Sequence, residues 1–241
     1  MKKYELTTEI LQFAVFTLHR IKALKDFGSV KAGELGGWIE SEENLSQADN
    51  AWVYNNAKVF DNAKVFDNAR VYGDARVYGD AKIFCNAIVS GYAKVYGKAN
   101  VNGNAIVCDY AEVYEYAEVF EDAIVCDYAK VCNNANIFGY ADVYGFAEVY
   151  GNVRIYGNVS IEGDAKVHDN TDYIVFKNFW SSEIYFTWTR SNNKWSVGCF
   201  YGTGEELIKK AYADSEKSGR EYERVVRYVE SILADEQKKS N

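Results

Sequence analysis

The chain contains no proline, one methionine and only two histidines among its 241 residues. Without proline, no strand loses a ladder hydrogen bond to a missing backbone N–H group. The five cysteines form no Cys-x-x-Cys pair, so neither a disulfide framework nor a zinc knuckle is indicated. Cys108 and Cys126 are interpreted as reduced, small apolar residues, and the sequence predicts no metal site.

Long apolar segments are also absent. No run of about eighteen apolar residues occurs, and the first ten residues lack the apolar core of a signal peptide. We therefore expect a cytoplasmic protein without membrane contact. The net charge of −8 argues against nonspecific binding of nucleic acid.

A six-residue unit fills residues 51–170 and occurs twenty times. Val or Ile stands at every sixth position from Val53 to Val167, with Ala two residues earlier in eighteen units. Residues two apart share one face of a strand, so this Ala/Val ladder should point inward. Gly, Asp and Asn dominate the last two positions and tolerate the left-handed backbone of a tight corner. The pattern predicts an all-β solenoid with three units per coil.

The repeat resembles the hexapeptide-repeat, left-handed parallel β-helix family. Ala57-Lys58-Val59 and Ala75-Arg76-Val77 show the pattern of this family, a small residue two positions before an aliphatic one. The left hand is implied by this resemblance alone, since parallel crossovers are otherwise right-handed; a right-handed β-helix is the alternative. The segment from Val30 to Val53 is also similar to the uncharacterised YdcK-like β-helix proteins of bacteria and phages, which indicates a prophage or mobile-element origin.

Three segments divide the chain. Residues 1–50 contain strand-like runs, including Phe13–Ile21, and are predicted to cap the solenoid, whose ends would otherwise expose strand edges. Residues 51–170 form the β-helix. Residues 171–241 are predicted as a small α+β domain with three strands (Tyr173–Phe179, Tyr185–Arg190 and Trp195–Tyr201) and two helices. The first helix begins at a Thr203/Glu206 capping box, and the second begins near Ser218.

One face of the solenoid departs from the repeat. Most units carry a charged residue before Val and an aromatic residue after it, but three units that are one coil apart carry Ile before Val and a small residue after it. Such an apolar surface is typical of an interface. The predicted interface consists of Ile88, Ser90, Tyr92, Ile106, Cys108, Tyr110, Ile124, Cys126, Tyr128 and Phe146. It could contact another molecule or be covered by residues 171–241.

Acidic residues are concentrated in the middle of the repeat region. Such a cluster is usually solvated surface, but it could also form a patch that contacts a basic partner. The members of this predicted acidic patch are Asp109, Glu112, Glu115, Glu118, Glu121 and Asp122.

Three functions stay open at this stage. Many hexapeptide-repeat proteins are CoA-dependent acyltransferases with a catalytic His beside a long loop, but no loop interrupts these twenty units, and His19 and His168 lie in no motif. We therefore expect no enzyme and no cofactor. The favoured function is a phage-type binding or assembly protein, with counter-defence as one possible role, that engages a host protein or small ligand and forms a trimer or dimer. An acyltransferase and a purely structural rod are the alternatives.

Overall fold

The computed structural model of the protein describes residues 2–180 and 182–240. The Ala/Val ladder forms its core. From Ala51 to Val167 the Ala and Val or Ile positions of every unit are buried, and most of them are completely inaccessible to solvent. The predicted inward ladder is confirmed. Small, branched side chains at these positions allow three sheets to approach closely around a narrow interior.

The N-terminal segment begins with an antiparallel hairpin. Strands β1 (Tyr4–Phe13) and β2 (Phe16–Ala23) pair with each other, and β2 pairs with β3 (Leu35–Ile39). The predicted strand-like run Phe13–Ile21 is therefore not one strand, because the chain reverses between β1 and β2. Strand β3 also pairs in parallel with the first solenoid strand of its sheet, so the hairpin covers the edge of that sheet.

The remaining solenoid strands form three parallel sheets of about seven coils, and partners are eighteen residues apart, as Val95 and Val113 are. Three units per coil are thus confirmed. The ten-stranded sheet adds to β1–β3 the strands β5 (Lys58–Val59), β8 (Arg76–Val77), β11 (Lys94–Val95), β14 (Glu112–Val113), β17 (Lys130–Val131), β20 (Glu148–Val149) and β23 (Lys166–Val167). The seven-stranded sheet contains β4 (Trp52–Val53), β7 (Arg70–Val71), β10 (Ile88–Val89), β13 (Ile106–Val107), β16 (Ile124–Val125), β19 (Asp142–Val143) and β22 (Ser160–Ile161). The six-stranded sheet contains β6 (Lys64–Val65), β9 (Lys82–Ile83), β12 (Asn100–Val101), β15 (Glu118–Val119), β18 (Asn136–Gly139) and β21 (Arg154–Gly157).

The corners between sheets use a left-handed residue at their first position. Gly73 and Gly79 adopt positive φ there, as do Asp61 and Asp67. The corners are stabilised by side chains of adjacent coils. The longest series of side-chain hydrogen bonds begins with Asn50 Nδ2 and Asn68 Oδ1, which are 3.0 Å apart, and continues through Asn68, Asn86, Asn104 and Asp122.

Aromatic side chains stack between coils on the outer surface. Tyr78, Tyr96 and Tyr114 in the ten-stranded sheet lie nearly parallel, with ring centroids 4.9 and 5.0 Å apart. Phe66 and Phe84 stack in the same way in the six-stranded sheet. This stacking favours a single in-register arrangement of the coils.

The C-terminal segment is an antiparallel sheet with two helices, as predicted. Its strands are β24 (Tyr173–Lys177), β25 (Tyr185–Thr189), β26 (Lys194–Val197) and β27 (Phe200–Gly202), followed by α1 (Gly204–Asp214) and α2 (Glu216–Ser240). The predicted third strand is two strands, because Gly198 has φ +57° and reverses the chain. The Thr203/Glu206 capping box is present. Among the described residues, no helix combines the length and apolar character needed to span a bilayer.

Side chains alternate across the C-terminal sheet. Phe186, Trp188 and Trp195 are buried in a core with α1 and α2. Thr187 and Ser196 are directly opposed on β25 and β26 and point to the other face, where they bond to the solenoid. The same two strands therefore hold the helices on one side and contact the last coil on the other.

Candidate functional site

The predicted Ile residues lie in register on the outer side of the seven-stranded sheet. Ile88 pairs with Ile106, and Ile106 pairs with Ile124, so the three side chains form one column. All three are half-buried. Ser90, Cys108 and Cys126 form the adjacent column at the ends of the same strands. The sequence placed both columns correctly, whereas their role as an interface stays a prediction.

An exposed aromatic edge borders this face. Tyr92, Tyr110, Tyr128 and Phe146 stack with successive ring centroids 5.0 Å apart. Beyond the edge lies a groove of about 520 Å³ whose other wall is the charged column of the ten-stranded sheet. In that column Lys94 Nζ lies 2.8 Å from Glu112 Oε1.

The predicted acidic residues do not share one face. Glu112 lies in the ten-stranded sheet and Glu118 in the six-stranded sheet, and the other four lie at three different corners. They encircle the solenoid because residues close in sequence follow the coil around it. Several are also engaged between coils; Glu115 and Glu121, for example, accept hydrogen bonds from the backbone N–H groups of Asn133 and Gly139.

A cleft of about 430 Å³ lies where the seven-stranded sheet meets the C-terminal sheet. Its walls come from two coils of the solenoid on one side and from β25 and β26 on the other. The residues that give it chemical character are two carboxylates, the half-buried Asp142 and the exposed Glu183, and several hydroxyl groups, namely Tyr144, Ser160, Tyr185, Thr187 and Ser196.

Three hydroxyl groups of the cleft, those of Ser160, Tyr144 and Ser196, are linked through Glu162. Ser160 Oγ donates to Tyr144 Oη over 3.0 Å, and Tyr144 in turn interacts with the carboxylate of Glu162. On the opposite wall, Ser196 Oγ donates to the same carboxylate. These contacts link the solenoid to the C-terminal sheet, and Glu162 interacts with the hydroxyl groups of both Tyr144 and Ser196.

Burial changes the acidity of two carboxyl groups at this junction, those of Asp142 and Glu162. Desolvation raises the pKa of Asp142. Desolvation also raises the pKa of Glu162, although the hydrogen bonds from Ser196 and Tyr144 lower it in part. A half-buried carboxylate with a raised pKa is a stronger base than an exposed one, and this property is common in groups that accept protons during catalysis.

A second cavity adjoins the cleft. It has a volume of about 750 Å³ and shares Asn158, Val159 and Tyr185 with the lining of the cleft. Its other walls carry Arg154, whose guanidinium lies 5.2 Å from the ring centre of Phe138, together with Tyr156 and Tyr173. A cation among aromatic rings can bind a phosphate-bearing aromatic molecule.

Neither histidine belongs to the cleft. His19 is in β2 and pairs with Ile39. His168 lies in the last coil of the ten-stranded sheet, where its ring centroid is 5.1 Å from that of Tyr150.

Sequence reasoning did not identify Asp142 and Glu162. A signal was nevertheless present, because Asp142 interrupts the Ile column and Glu162 replaces the aromatic residue of its unit.

Comparison with known proteins identifies the repeat. A family model described as the YdcK β-solenoid repeat matches residues 63–79 and 69–83. The repeat units within these residues are similar to the YdcK solenoid repeat. This agrees with the resemblance seen in the sequence and with the solenoid in the structure.

The name of one relative overturns one expectation. Over 63 residues, which cover 23% of this chain, the protein is 38% identical to the "Uncharacterized acetyltransferase YdcK" of Escherichia coli strain K12. The match covers only 19% of that relative's length. The prediction that the chain is not an enzyme is contradicted by this relative, which is named as an acetyltransferase. The comparisons give no support to a phage-type binding function.

Proposed function

We propose that the protein is an acyltransferase that uses an acyl-CoA donor and that its reaction takes place in the cleft lined by Asp142. The observation that carries this proposal is the position of a half-buried carboxylate with a raised pKa in a cleft that adjoins a cavity with an arginine and several aromatic rings. The similarity to a named acetyltransferase supports the same class of reaction.

Asp142 is the proposed general base. It lines the cleft directly, and in the ionised state it can accept the proton of an amine or hydroxyl acceptor as that group attacks the thioester carbonyl. The new bond forms between the acceptor and the acyl carbon, and the bond from that carbon to the sulfur of CoA breaks. Glu162 does not line the cleft and is proposed as a positioning residue that orients Ser196 and Tyr144.

The adjoining cavity is proposed to bind the nucleotide part of the donor. The guanidinium of Arg154 can pair with a phosphate, and the rings of Phe138, Tyr156 and Tyr173 offer faces on which a purine can stack. Since Tyr185 borders both cavities, a donor anchored beside Arg154 could extend past Tyr185 toward Asp142.

The test is acyl transfer from acetyl-CoA to a panel of amines, amino sugars and alcohols, followed by chromatographic measurement of free CoA and acetylated product. We expect turnover by the parent chain and a fall in kcat of about 10²- to 10⁴-fold in Asp142→Asn, the usual contribution of a general base. Asp80→Asn is the matched control, because Asp80 is an exposed corner carboxylate near the other end of the solenoid. Full activity in Asp142→Asn, or no turnover of any acceptor by the parent, would overturn the proposal.

A further inference from the structure

Cys108, Asp109 and Cys126 converge on the outer side of the seven-stranded sheet. The segment Ile-Val-Cys-Asp-Tyr-Ala occurs twice, at residues 106–111 and 124–129, one coil apart. Because Val107 pairs with Val125, the cysteine that follows each valine lies above the other. The two thiol sulfurs and a carboxylate oxygen of Asp109 all lie within 4.8 Å of one another. The six-residue period already placed Cys108 and Cys126 one coil apart, but it gave no indication that the carboxylate of Asp109 lies beside both thiols.

Asp109 is arranged differently from the acidic residues at neighbouring corners. The side chain of Asp127 accepts a hydrogen bond from the backbone N–H of Gly145 in the next coil, over 3.0 Å, and Glu121 bonds to Gly139 in the same manner. At the equivalent corner position, the carboxylate of Asp109 lies beside the two thiols and interacts with Cys108. Its oxygen is therefore directed to the sulfur atoms and not to the corner of the next coil.

The donor set fits a zinc-class ion. Thiolate is a soft ligand and carboxylate a hard one, and Zn²⁺ accepts both in tetrahedral sites. A Zn–S length of about 2.3 Å places two thiolates about 3.8 Å apart around one ion. Both cysteines are half-buried and Asp109 is exposed, so the cluster can be reached from solvent. A small rotation of the side chains would bring the three atoms to coordination distance.

We propose that Cys108, Cys126 and Asp109 bind one Zn²⁺ ion per chain, with the fourth coordination position open to water. Three protein ligands and an open position are the arrangement of zinc sites that accept an exogenous ligand. Binding would release the thiol protons, because cysteine coordinates metal as thiolate. Cys126 lies one coil from Tyr144, but none of the three ligands lines the cleft, so the metal site does not depend on the acyltransferase proposal.

The test uses tag-free, reduced protein freed of metal by a chelator. Zn²⁺ affinity is measured by competition with a chromogenic chelator, and Cd²⁺ is added in parallel to detect thiolate-to-metal charge transfer in the ultraviolet. We expect one equivalent of either metal, and a loss of affinity of at least about tenfold in Cys108→Ser, Cys126→Ser and Asp109→Asn. Cys132→Ser should bind as the parent does, since Cys132 lies in the ten-stranded sheet after β17.

Three results would overturn the proposal: no uptake of metal by the reduced parent, equal affinity in Cys108→Ser and Cys132→Ser, or a Cys108–Cys126 disulfide that persists under the reducing conditions of the assay. Circular dichroism of each variant separates loss of a ligand from loss of the fold. Retention of the β-solenoid spectrum in Cys108→Ser, together with lost binding, would support the site.

Discussion

The carboxylate of Glu162 in the last coil accepts a hydrogen bond from Ser196 Oγ in the C-terminal sheet. Tyr144, one coil earlier, interacts with the same carboxylate from the solenoid side. The half-buried carboxyl group of Glu162 thus connects the last coils of the solenoid to the C-terminal sheet.

Glu162→Gln is expected to alter how stability depends on pH. The pKa of Glu162 is raised above its ordinary value of 4.5 in the folded protein. Between pH 4.5 and the raised pKa, the folded state therefore binds more protons than the unfolded state. The free energy of unfolding falls as the pH increases through this window. Glu162→Gln should remove the contribution of this residue to the decrease in the free energy of unfolding. Urea unfolding at a series of pH values would measure this free energy for parent and variant. If it changed with pH in the same way in both proteins, the prediction would be contradicted.

Arg154→Gln should weaken binding of the acyl-CoA donor more than it slows the acyl-transfer step. If Arg154 pairs with a phosphate of acyl-CoA, its loss removes binding energy from ground state and transition state alike, so KM rises by about tenfold or more while kcat changes little. Steady-state kinetics with varied acetyl-CoA would separate the two constants. Arg76→Gln, in the ten-stranded sheet, serves as the control. A fall in kcat without a change in KM would argue against a nucleotide site in this cavity.

Val113→Asp should prevent folding. Val113 is completely buried and pairs with Val95 and Val131 in the adjacent coils. An unpaired carboxylate in this apolar interior costs several kcal/mol, which is a large part of the stability of a typical domain. Glu118→Gln changes an outward residue of a neighbouring unit and should leave the fold intact. Circular dichroism and solubility decide the result, and a soluble, folded Val113→Asp protein would be incompatible with the inward ladder.

Ile106→Lys tests whether the Ile column is an oligomer interface. We propose that the parent chain forms a trimer or dimer through this face, because apolar area buried between copies contributes roughly 25 cal/mol per Å². A lysine at the centre of the column would bring like charges together and should shift the protein to monomer without unfolding it. Light scattering after size-exclusion chromatography measures the mass. A monomeric parent chain would refute this form of assembly.

The sequence determined the architecture of the solenoid. Its period of six fixed which residues point inward, where the corners lie and which residues stack, because every unit obeys the same local geometry. The register of Ile88, Ile106 and Ile124 followed directly from that period. The same local reasoning located the capping box of α1 at Thr203, since it depends on residues only three positions apart.

Tertiary structure alone brings together the residues of the candidate site. Asp142 belongs to the solenoid and Ser196 to the C-terminal sheet, and no period relates them; they line one cleft only because β25 and β26 pack against the last coils. Burial at that contact raises the pKa of Asp142, and burial is a property of the packed molecule. The sequence also suggested one acidic patch, whereas the coil distributes those residues around the solenoid. Local pattern therefore determines a repetitive backbone, while the site arises where that repetition ends and a differently folded segment packs against it.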